Sequence, residues 1–121
     1  MIKRDGRILI CRRRFDQRHP GKWEFPGGKV EPGENSRQGV RRELCEELGI
    51  EARIDEEITR YRYRYPDKQV ELVFYRVSEF TGEPDGSQFE EIRWVTPGEL
   101  PGFDFLEGDV AFVRELAARR S

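Results

Sequence analysis

An α/β (α+β) sandwich, with two helices packed on a set of mostly hairpin-linked strands, is the fold class that the sequence predicts. Three patterns lead to it. Arg60, Arg62 and Arg64 alternate with Tyr61, Tyr63 and Tyr65, the period of a strand with two unlike faces. Val40, Leu44 and Leu48 recur at helical spacing between a capping Asn35 or Ser36 and a stop at Gly49. A second helical stretch closes the chain over residues 109–119.

Taken in order, Asp5-Gly6 marks a turn, and Arg7-Ile8-Leu9-Ile10-Cys11-Arg12 reads as a strand. Residues 15–22, with His19-Pro20-Gly21, form a loop. Trp23-Glu24-Phe25 is a short extended piece, because Pro26 disfavours helical angles at the residue before it. Gly27-Gly28 permits backbone angles that other residues resist, and Glu31-Pro32-Gly33-Glu34 is a further turn. The helix over Ser36–Leu48 contains Gly39, which costs about 1 kcal/mol relative to Ala, so tertiary contacts must hold it. Residues 54–65 form one long strand and residues 69–80 a second, turned by Pro66-Asp67-Lys68, with Val70, Leu72 and Phe74 on one face. A Gly/Pro loop over 81–86, a short strand over 92–95 and the closing helix complete the chain. No repeat or linker divides it, so residues 1–121 read as one domain.

Composition narrows the functions. With 36% hydrophobic and 38% charged residues, the core is modest, and 8 Phe, 4 Tyr and 2 Trp must supply much of its area. Lys and Arg number 22 against 24 Asp and Glu, a net charge of −2 that argues against a nucleic-acid coat or a polybasic membrane anchor. No apolar run reaches the roughly 18 residues of a membrane span, and there is no signal-peptide core, so a soluble cytoplasmic protein is expected. Two well-separated cysteines and a single histidine leave no zinc site of the His/Cys type. Any chemistry rests on carboxylates.

The informative carboxylates are Glu43, Glu46 and Glu47, which fall within a roughly 100° arc of the first helix, beside the apolar stripe. A solvated acidic face is one reading. Two features oppose it: Glu43 and Glu47 are a like-charge i,i+4 pair, and the acids sit toward the helix C-terminus, where the macrodipole disfavours negative charge. A divalent cation resolves both, and oxygen-only ligands suit Mg²⁺ or Mn²⁺. Gly27-Gly28 either lets backbone groups approach such a ligand or is an ordinary turn; Glu34 either joins the acids or caps the helix.

Gly28, five residues, Glu34, seven residues, then Arg42-Glu43-Leu44-Cys45-Glu46-Glu47-Leu48-Gly49-Ile50 resembles the Nudix box at each of its fixed positions. Trp23-Glu24-Phe25-Pro26-Gly27-Gly28-Lys29-Val30-Glu31, Tyr65-Pro66-Asp67, Gly82-Glu83-Pro84, Ile92-Arg93-Trp94-Val95 and Phe105-Leu106-Glu107-Gly108-Asp109 are similar to segments of the family's MutT branch, so the resemblance covers nearly the whole chain. It implies an α/β/α sandwich around a mixed sheet and Mg²⁺-dependent hydrolysis of a nucleoside diphosphate linked to another group. By position it implies metal binding by the Gly27 carbonyl, Glu43, Glu46 and Glu47, with Glu43 also a candidate general base. Gly28, Glu34 and Arg42 would orient the box. Arg13, at the family's spacing from Glu24, would meet the substrate phosphates, although Arg12-Arg13-Arg14 also reads as a solvated basic rim. Asp109 would contact the base or cap the last helix; Phe74 and Tyr65 would line the pocket or pack in the core.

Two positions depart from the pattern. Gln88 stands where MutT-like enzymes carry a further metal-binding glutamate, with Glu90 and Asp85 nearby as replacements. By the resemblance, the family's first strand is expected to be shortened here, with Ile2-Lys3-Arg4 to supply it. The implied function is a (d)NTP pyrophosphohydrolase releasing NMP and pyrophosphate, sanitising oxidised nucleotides such as 8-oxo-dGTP in support of DNA repair. Alternatives are a dCTP or modified-dCTP pyrophosphatase, an ADP-sugar pyrophosphatase, or a catalytically quiet nucleotide-sensing domain. The expected partners are a nucleotide substrate and at most a second copy in a homodimer, with no nucleic acid and no membrane.

Overall fold

The computed structural model describes residues 1–27 and 35–119. The Gly27-Gly28 turn is therefore seen only to Gly27, and the turn at residues 31–34, Gly28 and Glu34 lie outside the described residues. Strand β1 (Lys3–Arg4) pairs with β2 (Arg7–Arg12) through the Asp5-Gly6 turn, whose φ angles of 53° and 76° are those a two-residue hairpin loop requires. Strand β3 (Trp23–Glu24) shares that edge of β2 further along, and β8 (Glu91–Val95) covers the opposite edge from Ile8↔Val95 to Arg12↔Glu91, all antiparallel. Two parallel bridges, Ile2↔Val77 and Trp23↔Phe105, make the arrangement mixed.

Helix α1 (Ser36–Leu48) follows, with the bounds the capping residues predict. The Asn35 side chain accepts from the amides of Arg37 and Gln38, and Gly49, at φ 70°, donates its amide back to Cys45. Strands β5 (Glu57–Arg64) and β6 (Gln69–Tyr75) form the long hairpin. The expected strands were longer. A separate pair joins β4 (Glu51–Arg53), which the sequence assigns to no element, with β7 (Glu79–Thr81), whose residues it assigns to the end of the second strand and the start of the loop. The second strand stops because the chain changes partners after Tyr75. The Arg76 amide still bonds Glu56, the Val77 amide bonds Met1, and Ser78 is held by the Asp55 carboxylate. The chain ends in α2 (Val110–Arg119), entered directly from a 3-10 turn over Glu107–Asp109. Asp109 thus belongs to that turn rather than opening the helix as a separate cap.

Alternation along the strands sorts the core into two layers. Ile8, Ile10, Leu72 and Phe74 face α2 and pack with Phe25, Phe112 and Leu116. Leu9, Cys11, Val73 and Tyr75 face α1 and pack with Val40, Leu44 and Leu48. This is an α/β/α sandwich, and it sets the Glu43–Glu47 turn of α1 next to the end of β2 and β3. Among the described residues no helix is long and apolar enough to cross a membrane.

Candidate active site

The buried stripe of α1 turns the helix so that Glu43 and Glu47 are partly covered while Glu46 stays exposed. Gly27 comes up against the same stripe: a Cβ there would lie 3.2 Å from Val40 and 3.4 Å from Leu44, at a φ of 76° that glycine adopts without strain. The backbone of residue 27 is thereby set beside the acidic turn. From α1 itself, Arg42 donates to Glu46 at 3.0 Å and lies 3.8 Å from Glu43.

β2 and β3 bring in a second charged group. Just past the end of β2, Arg13 donates to Glu24 on β3 at 2.9 Å and to the Arg18 carbonyl at 2.7 Å. Both side chains of the pair are about 15% exposed (16% and 14%), so the contact is shielded from solvent and salt. Burial, followed by the charges of Glu43 and Glu24, pushes the Glu47 carboxyl up to about 7, against the opposing pull of Arg13.

These groups line one cavity of about 590 Å³ together with Arg42, Gln88, Asp109 and the apolar side of Phe25, Tyr65, Val70, Leu72 and Leu106. Asp109 is 4% exposed and accepts the Phe25 amide at 3.3 Å. Gln88 donates its side-chain amide to the Glu46 carbonyl at 2.8 Å. Of the expected residues, the structure gathers Arg13, Glu24, Gly27, Arg42, Glu43, Glu46, Glu47, Tyr65 and Asp109. Phe74 is not among the lining residues: it is 2% exposed and stacks on Phe112 at 4.1 Å in the α2-side core. Asp85 and Glu90 are likewise absent from the described lining, and the Asp85 carboxylate accepts the Ser87 amide. Sequence reasoning missed Phe25, Val70, Leu72 and Leu106 as wall residues, because their apolar character carries no sign of which cavity they face.

Among the described residues no three His, Cys, Asp or Glu converge tightly enough to form a ready-made cation cage. The donor chemistry nevertheless fits a hard divalent cation. Every candidate donor is oxygen, and Glu47, raised first by burial and then by the charges of Glu43 and Glu24, stands where a bound cation would favour the ionised carboxylate.

A family model described as "NUDIX domain" matches residues 1–117. The chain is 34% identical over 121 residues to a CTP pyrophosphohydrolase of Escherichia coli K12, spanning 100% of this chain and 90% of that protein. It is 37% identical over 111 residues to an 8-oxo-dGTP diphosphatase of Haemophilus influenzae, spanning 92% and 82%. Among solved structures, the E. coli ORF135 protein superposes with a TM-score of 0.85 at 34% identity, covering 99% of this chain and 86% of that one. The MutT protein of Methanosarcina mazei Go1 gives 0.84 at 26% identity, with 97% and 88% covered.

Proposed function

The chain belongs to the NUDIX domain family, and on that premise we propose that it is a MutT-like pyrophosphohydrolase. It converts a nucleoside triphosphate and water to the monophosphate and pyrophosphate. The observation that carries this reading is one cavity lined by the three glutamates, the Arg13–Glu24 pair, the apolar residues and Asp109. A triphosphate and its base differ in chemistry, and this cavity offers both charged and apolar groups.

The Gly27 carbonyl, Glu43, Glu46 and Glu47 are the proposed holders of Mg²⁺, or Mn²⁺ in its place. When bound, the cation neutralises polyphosphate charge and acidifies water at the site. Arg13 binds the phosphates; Glu24 and the Arg18 carbonyl hold its guanidinium in place beforehand, so little side-chain freedom is lost on binding. Water forms a bond to phosphorus, the bridging P–O bond breaks, and the electron pair leaves on the departing phosphate oxygen. Glu43, one helical turn from Glu47 and 3.8 Å from Arg42, is the proposed acceptor of the water's proton. Phe25, Tyr65 and Leu106 offer the base an apolar slot, and Asp109 offers it a hydrogen-bond acceptor.

For the base we favour an oxidised purine such as that of 8-oxo-dGTP, in keeping with the Haemophilus relative's name. A cytosine nucleotide is the second reading, favoured by similarity to the CTP pyrophosphohydrolase over the whole chain. Phosphorus-31 NMR of the products tests the reaction: monophosphate with pyrophosphate supports it, and diphosphate with orthophosphate refutes it.

A further inference from the structure

The residue before Asp109 is held in an unusual way. The Tyr61 hydroxyl donates to the Gly108 carbonyl at 2.5 Å, and the Gly108 amide donates to the Tyr65 hydroxyl at 2.9 Å. Both polar groups of Gly108 are thus taken by two phenols, one from the middle of β5 and one from just past its end. A Cβ at Gly108 would lie 2.7 Å from the Tyr65 hydroxyl and 2.9 Å from Leu72, so only glycine lets the hydroxyl come this close to the backbone. Tyr63, on the same face of β5, donates to the Glu107 carboxylate at 2.9 Å, and the Asp109 carboxylate takes the Phe25 amide. Residues 107, 108 and 109 are therefore each tied down from outside their own turn.

We propose that Tyr61 and Tyr65 are positioning residues for base discrimination, clamping the Gly108 peptide between their hydroxyls so that Asp109 meets the nucleobase at a fixed depth. The proposal rests on the reading of Asp109 as the base-contacting group. It goes beyond that reading by assigning the selectivity to two hydroxyls, one of which lies outside the cavity.

Ring packing alone would not need the hydroxyls. Tyr61 packs on Phe74 and Tyr65 on Tyr63 and His19, contacts that a phenylalanine reproduces. What phenylalanine removes is a donor to a buried carbonyl and an acceptor for a buried amide, each costly to leave unmet. Burial first, and then the Asp109 charge, pushes the Tyr61 hydroxyl up to about 12, so it remains a donor at neutral pH.

The test compares the full chain with Tyr61→Phe, Tyr65→Phe and Asp109→Asn. Dissociation constants and kcat/KM are measured for dGTP, 8-oxo-dGTP, dCTP and CTP, with exchange of the Gly108 amide followed by NMR. The clamp predicts that Tyr61→Phe narrows the ratio between the best and second-best nucleotide by about tenfold, through KM, with kcat within about twofold. Tyr65→Phe narrows the same ratio and speeds Gly108 amide exchange. If Asp109→Asn collapses the ratio and neither tyrosine variant changes it, the clamp is overturned and the Asp109 reading stands. If Asp109→Asn leaves it unchanged, that reading fails and the clamp with it. A fall in kcat shared equally by all four nucleotides makes the tyrosines packing residues and overturns the proposal. Should no nucleotide turn over, the reaction itself is refuted, and the ratios of dissociation constants still decide the clamp.

Discussion

Gln88 donates its side-chain amide to the backbone carbonyl of Glu46, 42 positions earlier, at 2.8 Å. Carbonyls in the last turn of a helix lack partners within it. Here Gly49 serves Cys45, Gln88 serves Glu46, and the Asp85 amide serves Leu48 at 2.9 Å. The loop over 82–90 thus caps the end of α1 that carries the acids, and places amide donors against a helix terminus whose dipole and glutamates are both negative. At the position where the family pattern has a further acid, this chain has a helix cap.

Gln88→Ala is expected to lower stability by about 0.5 kcal/mol, the low end for a hydrogen bond because this one is exposed, and to lower kcat several-fold as α1 frays. Gln88→Glu removes the donor and adds like charge, so it is expected to destabilise the metal-free protein more than Gln88→Ala does. Thermal melts in EDTA check the order.

Arg13→Ala removes the proposed phosphate-binding group and leaves Glu24 without its Arg13 partner beside Glu47. KM is expected to rise by about ten- to a hundredfold, with a smaller fall in kcat. Glu24→Gln keeps the shape of the pair and removes one of the charges that raise Glu47, so the Glu47 carboxyl moves down toward its ordinary value. Carboxylate titration by NMR follows that shift.

Glu47 links pH to stability. Unfolded, it titrates near 4.5; folded and metal-free, near 7. Between these values the folded chain keeps a proton that the unfolded chain has lost. Its contribution to stability is therefore full below about pH 4.5 and is lost as pH rises through 7, on the order of 3 kcal/mol in all. Glu47→Gln is expected to melt higher than the parent in EDTA at pH 8, with the difference shrinking toward pH 4.5. Mg²⁺ affinity of the parent, measured by calorimetry, rises with pH through 7 because the cation displaces the same proton.

Gly27→Ala places a methyl 3.2 Å from Val40 at a φ of 76°. Strain of about 1–2 kcal/mol is expected from the backbone angle alone. Because the backbone of residue 27 stands beside the acids, activity is expected to fall more than the melting temperature suggests. Parallel melts and rates check this.

Local chemistry made α1 legible: of the two N-cap candidates, Asn35 and Ser36, Asn35 caps the helix, and Gly49 stops it as its type predicts. The acids were legible because all three sit on that helix. β4 and β7 were not, since each has three residues with charged or polar ends and only Ala52 and Phe80 turned inward. The break in the second strand depends on Met1 and Asp55 as partners, which no window around residue 76 contains. Phe74 and Leu72 share one strand face, yet Leu72 reaches the cavity while Phe74 packs under Phe112. Spacing of two residues fixes the face but not the depth. The Gly108 clamp joins residues 43 and 47 positions apart and has no sequence signature at all.

In the proposed reaction the glutamates of α1 drive cation-dependent release of pyrophosphate from a nucleoside triphosphate. The most direct test is the initial rate of pyrophosphate release from 8-oxo-dGTP, dGTP, dCTP and CTP, with Mg²⁺ and with EDTA, for the parent and for Glu43→Gln and Glu47→Gln. Release from one preferred triphosphate in Mg²⁺ is expected, abolished by EDTA and lowered by about a hundredfold or more in each variant. Nucleotide binding without release in any condition, or release that survives both substitutions, would contradict the claim.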